Sequence, residues 1–234
     1  MMNSLHKLRS LSATLKATWV GLMICAAGAA SAGFITNNEA GMDSIYSQAS
    51  FGSTPVDIRF NAGKTFANSS ALDFDYTVDF ATLFTFSGFS NGPTVNLFFV
   101  DHISVCGSPG TTIIGCAFVS GNVMVLDSTW AAKSFEGPIL AAHELGHNLG
   151  LLHVNGSNTN LMNSTLSGSS VLTAAQVTTI LSSSLVQTAA GSRFVSINPI
   201  AVVASVPEPQ SWAMMLAGLL GVGAWVRRRK ALTV

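Results

Sequence analysis

Eleven consecutive residues, His143-Glu144-Leu145-Gly146-His147-Asn148-Leu149-Gly150-Leu151-Leu152-His153, constrain this chain more than any other part of it. Histidines four apart on a helix project from one face about one turn apart, so both imidazoles can meet a single ion. Gly150 lets the backbone leave the helix in a left-handed conformation, and that turn swings His153 back toward the same point. Three neutral nitrogen donors leave one position open on a tetrahedral Zn2+ ion, which is the arrangement of a catalytic zinc site. Glu144 stands beside the pair, where its carboxylate can take a proton from metal-bound water without being a ligand. The string therefore asks for a helix ending near Leu149, a tight return, and a cavity for one zinc ion.

The surrounding sequence reads as one α/β (α+β) domain over residues 33–205. Met42, Ile45, Tyr46 and Ala49 recur at helical spacing within 38–49. Residues 55–61 alternate apolar and polar, the pattern of a half-buried strand. Alternation of Leu72, Phe74, Tyr76, Val78 and Phe80 with Asp73, Asp75, Thr77 and Asp79 predicts a strand or hairpin. Those aspartates could suggest Ca2+, but a solvated strand face explains them more cheaply. Residues 95–100 are mostly apolar and suit a central strand covered on both faces. Short strands follow at 116–120 and 122–126. Pro138 fits the first position of the metal-binding helix, where its missing N–H costs nothing. Thr173 and Gln176 fit a capping box that opens a last helix to about Leu185. Residues 187–205 fit either a final strand or a linker.

At every fixed position the eleven-residue string matches the zinc-binding consensus of the metzincin metallopeptidases, which it therefore resembles. The resemblance implies a zincin catalytic domain with a twisted mixed sheet, an active-site helix and a C-terminal helix. It also implies a methionine turn beneath the metal, here Met162, nine residues past His153 as in the matrixin branch. By the same comparison residues 115–120 look like the edge strand above the cleft and 122–126 like the next inner strand. The implied activity is endopeptidase: His143, His147 and His153 hold one Zn2+, Glu144 is the general base, and an extended peptide or protein substrate pairs with the edge strand. Gly150 and Met162 are then structural at the site. The chain departs from matrixins in having Asn163-Ser164 where they have Tyr-Pro, and in lacking a cysteine-switch propeptide. The rival expectations are a surface or matrix binding protein with a non-catalytic zinc site and an enzyme acting on non-protein amides. Retention of Glu144 argues against the first.

The two ends read as addresses. Residues 1–32 carry Lys7, Arg9 and Lys16, an apolar run and Ala30-Ser31-Ala32, the build of a cleaved secretory signal. An uncleaved anchor or a lipid-modified Cys25 fits less well. Pro207-Glu208-Pro209, an apolar run from Trp212 to Val226 and the cluster Arg227 to Lys230 resemble the PEP-CTERM sorting tail of Gram-negative bacteria. That resemblance implies a short transmembrane helix in 206–234, processing by an exosortase-type enzyme, and delivery to the cell surface or extracellular matrix. An ordinary membrane anchor is the alternative, and contact with membrane is expected only through the terminal segments. Residues 33–205 hold four basic side chains (Arg59, Lys64, Lys133, Arg193) against ten acidic ones, which excludes nucleic acid as a partner for want of clustered cations. Cys106 and Cys116 are the two cysteines left after the leader, and in an oxidising compartment they are expected to pair.

Overall fold

The structure, a computed structural model, describes residues 32–205 and 209–231. Residues 1–31 of the expected leader (residues 1–32) and Val206-Pro207-Glu208 of the expected sorting tail lie outside them. The helix α1 (Glu39–Tyr46) buries Met42, Ile45 and Tyr46 against the strand β1 (Val56–Phe60). That strand ends one side of the sheet, and two of its amides are taken by α1 carboxylates. Ile58 N donates to Asp43 Oδ1 (2.6 Å) and Phe60 N to Glu39 Oε2 (2.7 Å). After β2 (Lys64–Ala67) comes β3 (Asp73–Asp75), which is only three residues long.

The strand expected through Phe80 is therefore corrected: α2 (Tyr76–Leu83) is a helix. The Asp75 side chain accepts from Thr77 N and caps the helix start. The i, i+4 spacing then stacks Tyr76 on Phe80 (ring centroids 5.5 Å apart) and Phe80 on Phe84 (4.9 Å), contacts that a strand would send to opposite ends. Asp79 accepts from Asp75 N, so two of the three aspartates close this turn.

Beyond α2 lie β4 (Val95–Val100), β5 (His102–Cys106), β6 (Ser108–Ile113), β7 (Gly115–Ala117) and β8 (Val123–Asp127). The one-turn helix α3 (Ser128–Ala131) and the long helix α4 (Glu136–Asn148) follow. Pro138 is thus the third helical residue, not the first. Next are α5 (Ala174–Ser182), β9 (Gln187–Ala189), β10 (Ser192–Val203) and α6 (Pro209–Ala231). The main sheet has the order β1-β10-β4-β8-β7, with β2 and β9 also paired to β10. All pairs along that path are parallel except β7, which runs antiparallel to β8 at the edge. A second sheet, β3-β5-β6, lies apart from it. The fold class is mixed α/β with a mixed sheet and several helices.

β4 is buried along its whole length, as its composition requires, and its side chains alternate between two cores. Leu97 and Phe99 join Met124, Leu126, Val195 and Ile197 under α1, α4 and α5. Phe98 and Val100 join Val123, Val125, Ile200 and Val202 beneath the second sheet and α2. Residues 187–205, for which strand and linker were equally open, include the strand that joins β1 to β4.

Among the described residues no helix is long and apolar enough to cross a membrane. The expected transmembrane helix is corrected accordingly: α6 forms, but its apolar run of fifteen residues rises only about 22 Å, short of the ~30 Å hydrocarbon layer.

Candidate metal centre

α4 sets two of the three imidazoles. His143 and His147 lie one turn apart, nearly buried, with ring centroids 4.9 Å apart. The helix stops after Asn148 because Gly150 takes φ of +100°, a conformation that side chains with a Cβ rarely adopt. Gly150 N donates to His147 O and Leu151 N to Gly146 O, both at 2.9 Å, which satisfies two terminal carbonyls while the chain reverses. His153 then comes back beside the helix, and Val154 N donates to Met162 O (2.8 Å), tying this return to the loop that carries the methionine. The structure brings His143, His147 and His153 together, with one candidate ligand atom from each within 4.8 Å of the others. Among the described residues this is the one group of three or more His, Cys, Asp or Glu side chains so placed.

The orientation of the rings follows from two backbone carbonyls that sequence patterning could not identify. His143 Nδ1 faces Leu161 O (2.7 Å) and His147 Nδ1 faces Leu151 O (2.8 Å). A carbonyl only accepts, so in the neutral rings the proton sits on Nδ1 and the Nε2 lone pair points inward. His153 Nε2 lies 3.2 Å from His143 Nε2 and 3.1 Å from His147 Nε2, and it can donate to only one of them. Lone pairs left facing one another at that distance repel unless a cation lies between. Two nitrogens on a tetrahedral zinc ion with bonds of about 2.0–2.1 Å stand roughly 3.3 Å apart, so the donor set fits zinc in type and spacing. Burial holds all three rings on the neutral side: His143 is pushed down to about 4, and His147 and His153 are lowered as well. For His143 the neighbouring rings add to the burial effect and the Leu161 carbonyl opposes it.

Glu144 takes no part in the nitrogen cluster. It lines the same cleft, about 220 Å³, together with Cys106, Ile114, Gly115, Leu140, Asn163 and Ser164. Burial pushes its carboxyl up to about 8. Met162 is fully buried below α4, and its side chain occupies the space that Gly146 leaves open. The loop is fixed from α5. Asn160 and Gln176 exchange two amide hydrogen bonds (2.9 and 3.0 Å), Asn160 Oδ1 accepts from Met162 N, and Gln176 is the capping-box partner of Thr173. From the other side Tyr46 donates to Ala142 O (2.9 Å), and Asn148 Nδ2 to Phe118 O and Val123 O, locking α4 onto α1 and the sheet edge. Cys106 and Cys116 are bonded, Cα atoms 5.8 Å apart, and tie β5 to β7 at the rim of the cleft.

His102 is exposed on β5, paired in register with Asp73, and is not one of the converging imidazoles. A larger groove of about 560 Å³ lies along β1 between Asp43, Asp57, Arg59 and Arg193. Arg59 Nε pairs there with Asp57 (2.6 Å) and the Arg59 guanidinium lies over the Phe194 ring, and the groove holds no metal-ligand cluster. The chemistry of the triad therefore outweighs the volume of this groove in locating the site.

Comparison with known protein families bears on the C-terminal end. Residues 205–230 match the PEP-CTERM protein-sorting motif. No curated protein matches the chain. The chain thus carries a PEP-CTERM protein-sorting motif behind the domain that holds the histidine cluster.

Proposed function

We propose that the protein is a zinc-dependent endopeptidase, metzincin-like and nearest the matrixins, exported and sorted to the surface of a Gram-negative cell. The observation that carries this reading is the convergence of three Nε2 atoms, two oriented by carbonyls, in a cleft also lined by Glu144. His143, His147 and His153 would hold the ion. Zinc, when bound, supplies Lewis acidity toward a scissile carbonyl and makes a water molecule acidic enough to attack it near neutral pH. Glu144 takes the proton of the attacking water and hands it to the leaving amine, one carboxylate serving as base and then as acid. Beside a bound dication Glu144 would ionise more readily, which would offset the burial that raises it. The free edge of β7 offers backbone groups to an extended chain, which binds peptide with little regard to side chains. The sorting motif supports processing of the tail by an exosortase-type enzyme.

A metal assay and cleavage of unfolded casein test the reading. The purified protein is expected to hold one zinc per chain and to cleave, while Glu144→Ala keeps zinc and cleaves nothing. Zinc-loaded wild type that cleaves no more than Glu144→Ala would overturn it in favour of a binding protein with a non-catalytic site.

A further inference from the structure

Among the described glycines, Gly115 is not one with positive φ, so its backbone conformation does not explain its presence. It lies on β7, in register with Leu126 of β8. What it lacks is volume. A Cβ built there would overlap Glu144 Oε1, with Cδ at 2.7 Å and Cγ at 2.8 Å. The Glu144 carboxylate thus stands in the space of a missing side chain, and the backbone of the edge strand forms its wall. Next in sequence, buried Cys116 is bonded to Cys106 of β5, so the strand is tied across the cleft rim as well as along β8. Neither Gly115 nor the disulfide belongs to the nitrogen cluster.

We propose that Gly115, held in place by the Cys106–Cys116 bond, is a positioning residue that fixes the Glu144 carboxylate relative to the three histidine nitrogens. This rests on the peptidase reading of the site. Van der Waals contact needs about 3.4 Å or more between such atoms, so alanine at 115 displaces the carboxylate by an amount on the order of 1 Å. The atoms in the way belong to a side chain that lines the cleft and not to backbone, so the carboxylate yields before the fold does. The histidines keep their carbonyl partners and their affinity for zinc. A misplacement of that size costs a catalytic group roughly 100-fold in rate.

The experiment compares Gly115→Ala with wild type in the full chain by zinc content, casein-peptide kinetics, and acetohydroxamate binding to the Co2+-loaded protein, followed by visible absorption. The hydroxamate chelates the metal and shares its proton with a well-placed carboxylate, so its affinity reads the position of Glu144 without turnover. Equal zinc, a kcat roughly 100-fold lower at a KM within about twofold, and hydroxamate binding about tenfold weaker are expected. Unchanged kcat and unchanged hydroxamate affinity overturn the inference. Should wild type bind zinc and cleave nothing, the peptidase reading fails, and the hydroxamate comparison alone still decides whether Gly115 places Glu144. If Gly115→Ala does not fold, the double variant Cys106→Ser/Cys116→Ser takes its place. Retained zinc with weakened hydroxamate binding supports the inference, and wild-type hydroxamate binding overturns it.

Discussion

At the scale of single residues the candidate site sets two burial effects against each other. Glu144 has its carboxyl raised from 4.5 to about 8 by burial, whereas His143 is lowered from 6.5 to about 4. Below pH 6.5 the two oppose each other in the metal-free protein. Unfolded histidines bind protons that folded ones refuse, so stability falls with acid, while folded Glu144 keeps a proton that the unfolded chain has lost. Above pH 6.5 the histidine effect fades, and the Glu144 effect taken alone is expected to lower metal-free stability by an amount on the order of 2 kcal/mol between pH 6.5 and 8. Denaturant titrations of metal-free protein at those two pH values check this, and Glu144→Gln should abolish the drop. Gly146 gives a second prediction. A Cβ there would lie 2.6 Å from Met162 Sδ, so Gly146→Ala overpacks the floor of the site and should cost about 1–3 kcal/mol, read as a lowered Tm with zinc affinity reduced. The three histidines and Glu144 were legible because helical spacing is a property of sequence. Gly115, the Leu161 carbonyl and the Leu151 carbonyl were not, since each acts through a distance across the fold or through a main-chain atom that every residue possesses.

At the scale of elements, α5 supports the loop of Met162 through a single side-chain pair. Thr173 and Gln176 close a capping box, and Gln176 uses the rest of its amide to hold Asn160, whose Oδ1 accepts from Met162 N. Thr173→Ala should therefore cost about 1 kcal/mol through the lost cap and, beyond that, loosen residues 160–163. Amide hydrogen exchange is expected to rise at Met162 as well as in the first turn of α5. A change confined to α5 would show that the cap and the loop are independent. The box was readable from two residue types three apart, whereas its link to Asn160 was not, sixteen residues away and between side chains common in any loop. The region 72–80 shows the opposite failure. Its alternation pointed to a strand, but the same letters place Tyr76 and Phe80 one helical turn apart, and the cap from Asp75 together with ring stacking decides for helix.

At the scale of the whole molecule, the body begins and ends side by side. Gly33 N donates to Val202 O (2.7 Å), and Ala32 bridges Val203, so the last strand closes against the first described residues. That strand, β10, lies between β1 and β4 and contributes Val195 and Ile197 to one core and Ile200 and Val202 to the other. A chain ending at Val186 keeps every residue of the candidate metal site and is expected not to fold, because β1 loses β10, its one strand partner among the described residues, and both cores lose a layer. Removing 206–234 should leave Tm unchanged, since the described side chains of α6 from Ala213 to Trp225 are exposed. Circular dichroism melts of the two truncations against the full chain separate these outcomes. What the sequence by itself determined is a candidate donor set and an address: residue identity at helical spacing places nitrogen donors beside a carboxylate, and the order of tail segments specifies a sorting motif. Only the tertiary structure decided that residues 187–203 join the sheet, that 76–83 is helical, and that a missing Cβ makes room for Glu144. Each of these turns on packing between segments far apart in the chain, which no local pattern of residues encodes.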